Sequence, residues 1–204
     1  LHEQIGRNVH VYVDDIAAMS KKKADLLEDL EETFQNLRRF QMKLNPAKCV
    51  FGVPAGKLLG FIVSERGIEV NPEKIKAIQN ISRPTCLKDV QRLAGSAAAV
   101  SRFISRLGEK AMPLYRLLKK SDNFEWTAEA DAALQQLKEA LISAPILAAP
   151  RSQETMLLYI AATGAVVSVV LAVERKENEA ATCEQRPVYF ISEVFSASKR
   201  RYPH

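Results

Sequence analysis

The sequence is poor in the residues that build disulfide frameworks, zinc sites and membrane spans. Its 204 residues include three cysteines and three histidines. Cys49, Cys86 and Cys183 are far apart and odd in number, which argues against a disulfide framework or a zinc site and fits a reducing compartment. The histidines have no ligand-like spacing. No apolar run approaches the roughly 20 residues that a membrane span needs, and no amino-terminal segment has the pattern of a signal peptide.

Nothing in the composition excludes a globular protein. Hydrophobic residues make up 47% of the chain, which suffices for the cores of one large or two to three small units. The formal net charge is +5 and the isoelectric point is about 9.1. This charge permits a polyanionic partner without requiring one.

The most informative feature present is a pair of adjacent carboxylates, Asp14 and Asp15, between two apolar alternating segments. The flanking residues are β-branched and aromatic and predict the two strands of a hairpin. Asp-Asp is a poor choice for a tight hairpin turn, which prefers Asn-Gly or Asp-Gly. Adjacent like charges repel unless a cation neutralises them, and Mg²⁺ typically binds one or two carboxylates together with substrate phosphates. The tip is therefore predicted to be a metal site; the alternative is a solvated acidic turn.

The segment Tyr12-Val13-Asp14-Asp15 resembles the Tyr-x-Asp-Asp motif of reverse transcriptases. The chain downstream of this motif resembles the downstream half of the gypsy-class LTR retrotransposon polymerase. A helix is predicted over residues 21–42, capped by Ser20. Residues 44–51 match the family pattern Leu-Asn-x-x-Lys-Cys-x-Phe, whose Lys, here Lys48, lies near the incoming nucleotide in the family.

Residues 57–63 resemble the primer grip that the family writes Phe-Leu-Gly-His. Leu58, Leu59, Gly60 and Phe61 occupy its positions, with departures at the ends. Both this segment and residues 44–51 are predicted to be short strands. Gly60 is then expected inside a strand, where glycine permits the close approach of another backbone, here the primer. The alternative is a plain β-bulge.

Between residues 71 and 145 the pattern changes from strand to helix, as in the family's thumb. Asn71-Pro72 opens one predicted helix, Thr85 caps the next, and Thr127 caps a third that ends near Ser143. Within Ser101-Arg102-Phe103-Ile104 and the residues after it, the resemblance makes Arg102 and Arg106 candidate phosphate contacts. The alternative is a solvated basic face.

A third unit begins near residue 150 and resembles the opening of an RNase H-like fold. Residues 156–160 and 165–173 are predicted strands joined by a turn at Thr163-Gly164, and residues 186–192 are a third strand after an exposed polar loop. The family writes Leu-Tyr-x-Asp-Ala-Ser in the first strand, and its Asp is a metal carboxylate of the nuclease. This chain has Ala161 there. A methyl group cannot bind a metal ion, so the resemblance implies the fold without the hydrolysis.

The predicted fold class is α+β: a reverse-transcriptase palm hairpin and helix, a helical thumb, and the start of an RNase H-like mixed sheet. The predicted domains are residues 1–70, the carboxyl-terminal part of the palm, residues 71–149, the thumb and connection helices, and residues 150–204, an incomplete RNase H-like domain.

The resemblance also implies roles for single residues. Asp14 and Asp15 are the expected catalytic and metal ligands, holding two Mg²⁺ ions only in the complete polymerase. Nucleotide or primer binding is expected of Tyr12, Lys48, Leu59, Gly60 and Phe61, and backbone contacts of Arg102 and Arg106. The implied partners are an RNA or DNA template-primer, a dNTP and the remaining polyprotein segments, without a membrane. The implied location is intracellular, in a cytoplasmic virus-like particle or the nucleus.

Activity of the chain by itself is not expected. The family's chemistry needs a third Asp and the fingers residues from segments upstream of this chain, so the enzyme assignment stays open for the chain alone. A second interpretation is a non-catalytic remnant that binds nucleic acid or a protein partner, which Ala161 favours. A third, an unrelated protein with a chance acidic hairpin, leaves the ordered matches from Tyr12 onwards unexplained.

Overall fold

The computed structural model describes residues 3–20, 22–119, 124–176, 183–196 and 198–201. The chain divides into two compact units, Leu1–Gly60 and Phe61–His204. Among the described residues, no helix combines the length and the apolar content that a bilayer crossing requires. The predicted boundaries at residues 70 and 149 stay a prediction.

The first unit contains a hairpin, a helix and a further strand. The antiparallel strands β1, Val9–Tyr12, and β2, Asp15–Ala18, form a two-stranded sheet. After a 3₁₀ turn at Lys23–Asp25 comes helix α1, Leu26–Arg39, followed by a second 3₁₀ turn at Pro46–Lys48 and strand β3, Ala55–Leu58. Helix α1 buries Thr33 and Leu37.

Helix α1 starts later than predicted, and Ser20 does not cap it. The Ser20 hydroxyl instead donates a hydrogen bond to the Asp29 carboxylate at 2.5 Å. Asp25 occupies the cap position without a side-chain cap bond. Lys21, the predicted first residue, lies outside the described residues. A 3₁₀ turn therefore takes the place of the predicted first helical turn.

Two segments predicted to be strands have other structures. Residues 44–51 contain the 3₁₀ turn at Pro46–Lys48, because Pro46 fits the first helical position and the Asn45 side chain accepts a hydrogen bond from the Ala47 amide at 3.1 Å. Residues 57–63 do not form one strand. Leu59 and Gly60 form a turn with φ of 51° and 78°, respectively. Gly60 therefore serves a turn that needs positive φ, not a strand interior.

The second unit opens with the antiparallel strands β4, Phe61–Ser64, and β5, Gly67–Val70. Gly67 begins β5 with φ of 134°. A β-carbon at this position would lie 2.1 Å from the backbone oxygen of Leu147. The absence of a side chain lets Ile68 exchange two backbone hydrogen bonds of 2.9 Å with Leu147. This contact joins the hairpin to the segment that follows the helices.

Among the residues that the structure describes, five α-helices follow: α2, Pro72–Gln79; α3, Leu87–Ala98; α4, Leu107–Lys110; α5, Met112–Leu117; and α6, Ala128–Ile142. Asn71 caps α2 and Thr127 caps α6 through side-chain hydrogen bonds, as predicted. Cys86, rather than Thr85, is the cap residue of α3, and it makes no side-chain cap bond. The buried core runs through these helices and includes Ile78, Val90, Leu93, Phe103, Leu114, Leu134, Leu137 and Leu141.

After the helices comes a three-stranded antiparallel sheet in the order β6, Met156–Ala162; β7, Val166–Arg175; and β8, Glu184–Val194, and a 3₁₀ turn at Lys199–Arg201 follows it. The Thr163 hydroxyl accepts hydrogen bonds from the amides of Ala165 and Val166, which closes the predicted turn between β6 and β7. Residues 177–182 of the predicted polar loop lie outside the described residues.

Helix α4 contacts this sheet closely. The Gly108 amide donates a hydrogen bond of 2.9 Å to the Ser192 hydroxyl, which lies 2.9 Å from the hydroxyl of Ser168. A β-carbon at Gly108 would be 2.7 Å from the Ser192 oxygen. The helices and the sheet thus pack within one unit, and the mixed helix-and-sheet architecture confirms the predicted fold class.

Candidate functional site

The two predicted metal ligands lie at the end of the β1–β2 hairpin. In its register, Val9 pairs with Ala18 and Tyr12 pairs with Asp15. The two-residue turn is therefore Val13-Asp14, one residue earlier than a turn made of both acids. Asp14 lies in the turn and Asp15 is the first residue of β2, so that the two carboxylates leave the backbone from adjacent positions at the tip.

The turn holds a β-branched residue in an unfavourable conformation. Val13 has φ of 53° and its side chain is 80% exposed. Positive φ is rare for β-branched residues and costs about 1–2 kcal/mol relative to the usual regions. Because the side chain is exposed, packing within the unit does not compensate for this cost.

The carboxylates of Asp14 and Asp15 are exposed and make no hydrogen bond or ion pair with the part of the chain that the structure describes. No group of three or more His, Cys, Asp and Glu side chains among the described residues is arranged to hold a metal ion. Two carboxylates do fit Mg²⁺ that completes its octahedral shell with water and substrate phosphates. The tip therefore offers part of a metal site rather than a closed one.

The base of the hairpin is fixed to α1 through polar contacts. The Asp29 carboxylate accepts hydrogen bonds of 2.5 Å from both Ser20 and Asn8. These hydrogen bonds hold the pKa of the Asp29 carboxyl below its usual value, and the bond from Ser20 has the larger effect. The Asn8 backbone oxygen accepts from the Met19 amide at 2.8 Å. Asp29 therefore connects both strands to the helix while the tip stays exposed.

Of the remaining predicted residues of the first unit, Tyr12 ends β1 and the others lie on turns. Tyr12 is 61% exposed beside the tip, and Leu59 is 44% exposed in the turn that it forms with Gly60. Lys48 is exposed in the 3₁₀ turn and makes no ion pair with either carboxylate of the tip. The structure does not test the predicted roles of these residues.

In the second unit the structure brings two predicted residues together. Phe61 is the first residue of β4, and the Arg102 guanidinium carbon lies 4.9 Å from its ring centroid. The same carbon lies 5.1 Å from the ring centroid of Tyr189 on β8. The Lys74 ammonium lies 4.8 Å from the Phe61 centroid. These distances fall within the range of cation–π interactions.

Arg106 has a different environment. It has φ of 55° just before α4, and its guanidinium donates to the Glu109 carboxylate, with the Nε bond at 2.8 Å. This interaction holds the pKa of Glu109 below its usual value. The charge of Arg106 is thus balanced within one helical turn, whereas Arg102 lies against two aromatic rings and makes no ion pair with the described residues.

The position where the resemblance expects a nuclease carboxylate is occupied by an exposed methyl group. Ala161 pairs with Ser168 on β7, and Ser168 pairs with Ser192 on β8. Paired residues of neighbouring strands point to the same face of a sheet. This row across the sheet contains one methyl group and two hydroxyls, and no carboxylate.

Sequence reasoning did not identify Tyr189 or Lys74 as functional residues. Tyr189 is separated from Arg102 by 87 positions, and contacts between residues so distant leave no local periodicity to detect. The signal that was available is compositional: each residue is aromatic or cationic in a basic chain. These residues are selected only by the packing of β4 and β8 against the 3₁₀ turn at Ser101–Phe103, which contains Arg102.

Two family models match the chain. Residues 1–63 match the model of the reverse transcriptase, described as an RNA-dependent DNA polymerase. Residues 126–204 match the model of the RNase H-like domain found in reverse transcriptase. The hairpin tip falls in the first match and the β6–β8 sheet in the second.

Curated relatives are retrotransposon polyproteins. The transposon Tf2-3 polyprotein of Schizosaccharomyces pombe is 27% identical over 195 residues, which cover 96% of this chain and 14% of that polyprotein. The Tf2-7 polyprotein of the same organism is 26% identical over the same length. The chain thus spans about one seventh of the length of these relatives.

Solved structures of foamy viral protease-reverse transcriptase share the fold. The structure in complex with double-stranded DNA gives a TM-score of 0.79 at 23% identity and covers 96% of this chain and 33% of that chain. The structure in complex with an RNA/DNA hybrid gives a TM-score of 0.77 at 24% identity and covers 96% of this chain and 26% of that chain. The chain therefore shares its fold with these structures and is similar in sequence to the two family models.

Proposed function

We propose that this chain acts in RNA-directed DNA synthesis as part of a longer, gypsy-class retrotransposon polyprotein. It would contribute the Asp-Asp hairpin, the thumb and connection helices, and the opening strands of the RNase H-like domain. The observation that carries the proposal is the hairpin tip, where two exposed carboxylates without partners among the described residues lie within the reverse transcriptase match.

Asp14 and Asp15 are the proposed ligands of the catalytic Mg²⁺ ions. Bound metal would activate the primer 3′-hydroxyl and stabilise the leaving pyrophosphate. Two adjacent carboxylates supply too few ligands for two octahedral ions, so a third protein carboxylate is proposed to come from another segment of the polyprotein. The polar contacts of Asp29 support this role because they fix the base of the hairpin and leave the tip accessible.

A nucleic-acid duplex is the proposed partner. The foamy viral structures of the same fold hold double-stranded DNA or an RNA/DNA hybrid. The net charge of +5 favours such a polyanion. Tyr12, Lys48, Leu59, Gly60 and Phe61 are proposed to face the nucleotide and primer. The proposed location is intracellular, in a virus-like particle or the nucleus.

A second candidate function is a non-catalytic nucleic-acid-binding or protein-binding remnant. Ala161 favours it, because the row of Ala161, Ser168 and Ser192 offers no carboxylate to a metal ion. Loss of one carboxylate from the RNase H-like sheet leaves its fold intact and its hydrolytic chemistry unsupported. The two candidates differ in whether the hairpin tip still supports catalysis.

Primer extension on an RNA template with Mg²⁺ tests the proposal. Three proteins are compared: this chain, an extended protein with the upstream polyprotein sequence, and the extended protein with Asp14→Asn. We expect extension only by the extended protein, reduced on the order of a thousandfold by Asp14→Asn. Asp25→Asn, an exposed acid at the start of α1, is the matched control and is expected to leave extension unchanged. Failure of the extended protein to extend the primer would favour the remnant.

A further inference from the structure

Arg102 has no acidic partner among the described residues, in contrast to three arginines of the same unit. Arg92 pairs with Asp89, Arg116 with Glu129, and Arg175 with Glu154. The Arg102 guanidinium makes no hydrogen bond or ion pair with the described residues, although the residue is half-buried. A guanidinium has five N–H donors that need acceptors. Those of Arg102 are therefore available to a ligand.

Two aromatic rings restrict the orientation of this guanidinium. Its carbon lies 4.9 Å from the centroid of Phe61 and 5.1 Å from that of Tyr189. Arginine stacks on aromatic rings through its planar face, which leaves the N–H groups at its edge. Stacking reduces the rotamer freedom that a flexible arginine would lose on binding. Phe61 on β4 and Tyr189 on β8 thus preorganise the guanidinium of Arg102, which belongs to the 3₁₀ turn at Ser101–Phe103.

Phe61 also contacts a second cation. The Lys74 ammonium lies 4.8 Å from its centroid, and Lys74, like Arg102, has no ion pair with the described residues. Phe61 is itself supported from within the core by Phe103, at 5.6 Å between centroids. Because both cations lie within about 5 Å of one ring centroid, they are less than about 10 Å apart, and an anion near both would offset the repulsion between them.

We propose that Lys74 and Arg102, oriented by Phe61 and Tyr189, form a phosphodiester-binding site of the nucleic-acid interface. Guanidinium groups bind phosphate oxygens through two parallel N–H bonds, and ammonium groups act as point charges. The site rests on the nucleic-acid partner of the proposed function. It adds Lys74 as a ligand, and Tyr189, from the RNase H-like sheet, as a positioning residue that orients Arg102 without contacting the phosphate.

Binding of the whole chain to a short, fluorescently labelled RNA/DNA hybrid tests the site. The measurement is made in EDTA over a series of salt concentrations, so that neither metal nor primer extension is needed, and thermal unfolding of every variant is recorded alongside. A failure of this site is thereby separable from a failure of the proposed catalysis. Arg102→Leu is expected to weaken binding about tenfold and to lower the salt slope by about one.

Variants that keep the charge separate positioning from simple attraction. Tyr189→Leu removes no charge, yet it is expected to weaken binding about threefold, because a free guanidinium loses more rotamer entropy on binding. Tyr189→Phe keeps the ring and should recover that affinity. Arg102→Lys keeps the charge but loses the planar stack, so its affinity should lie between those of the wild type and Arg102→Leu.

Matched controls come from the same unit. Arg92→Leu removes a cation that already has an acidic partner, and Tyr159→Leu removes an exposed ring from β6 of the same sheet. Both are expected to bind as the wild type does. The proposal is overturned if the wild type does not bind the hybrid at low salt. It is also overturned if folded Arg102→Leu keeps wild-type affinity and salt slope, which would make the stack purely structural.

Discussion

The β1–β2 hairpin lies in the reverse transcriptase match and the β6–β8 sheet lies in the RNase H-like match, but the two regions present different side chains. The hairpin has two exposed carboxylates at its tip and a strained valine between its strands. The sheet has a row of Ala161, Ser168 and Ser192 at the position where the resemblance expects a carboxylate. Ser192 in this row contacts Gly108 of helix α4. The adjacent carboxylates thus lie on the exposed hairpin tip, whereas the row of the sheet that packs against α4 has a methyl group and two hydroxyls.

This difference teaches that fold and chemistry are separable in this chain. Strand register and core contacts depend on many residues, so the loss of one carboxylate leaves them intact. Metal binding depends on single oxygen ligands, so the same loss removes it. The match of the sheet to the RNase H-like model therefore concerns its architecture, whereas the chemistry proposed for the hairpin depends on Asp14 and Asp15.

The largest expected effect is a difference between the rates of primer extension and RNA cleavage by one protein. The extended protein should extend a primer in Mg²⁺ while cleaving the RNA strand of a hybrid on the order of a thousandfold more slowly than an RNase H with its full carboxylate set. Parallel gel assays on one labelled hybrid measure both reactions. Metal-dependent RNA cleavage that survives Asp14→Asn would contradict the expected difference between the regions.

The next effect concerns the packing of the sheet against α4. Gly108→Ala would place a β-carbon 2.7 Å from the Ser192 hydroxyl and 3.0 Å from a methyl group of Val166. We expect a loss of about 1–3 kcal/mol in the free energy of unfolding, measured by urea denaturation.

Gly95→Ala is the control for this substitution. Gly95 lies in α3, and apart from its chain neighbours and the backbone of its own helix, no described atom lies within 4 Å of the β-carbon it would gain. The substitution should stabilise the protein by about 0.5–1 kcal/mol, because alanine favours the helix. Equal effects of the two glycine substitutions would contradict close packing at α4.

A smaller effect is expected from acid. Glu154, just before β6, accepts hydrogen bonds from Arg175 at 2.6 and 2.7 Å, and these lower its pKa from 4.5 to about 2. A carboxyl with a lowered folded pKa stabilises the protein above its unfolded pKa. This contribution should be lost as pH falls from 4.5 towards 2.

Thermal unfolding across that pH range measures the acid effect. Glu154→Gln should destabilise the protein at neutral pH and flatten its response to acid. Glu193→Gln, which removes an exposed ion pair with Lys199 from the same sheet, should change neither property appreciably. An acid response in Glu154→Gln equal to that of the wild type would assign the response to other groups.

The smallest effect concerns the hairpin tip. Val13→Gly should stabilise the hairpin by about 1 kcal/mol, because glycine adopts the positive φ without strain. Amide hydrogen exchange in β2 measures the change. Val11→Gly, in the neighbouring strand position, should have the opposite sign, since glycine weakens a strand interior. A destabilising Val13→Gly would mean that the turn is not strained.

Sequence reasoning succeeded where local chemistry decides the outcome. The alternation around Tyr12, the caps at Asn71 and Thr127, and the apolar strands around Thr163 each depend on neighbouring residues. It failed where several local structures were compatible with one pattern. Pro46 and Asn45 favoured a 3₁₀ turn over a strand, and Gly60 served a turn instead of a strand interior.

By itself, the sequence determined the carboxylate pair, the alanine at position 161 and the change from strands to helices after residue 70, because residue identity and periodicity are local properties. Only the tertiary structure decided that Arg102 stacks on Phe61 and Tyr189 while Arg106 pairs with Glu109. Both arginines look alike in the sequence. Their surroundings differ because contacts between residues distant along the chain depend on how β4, the helices and β8 pack.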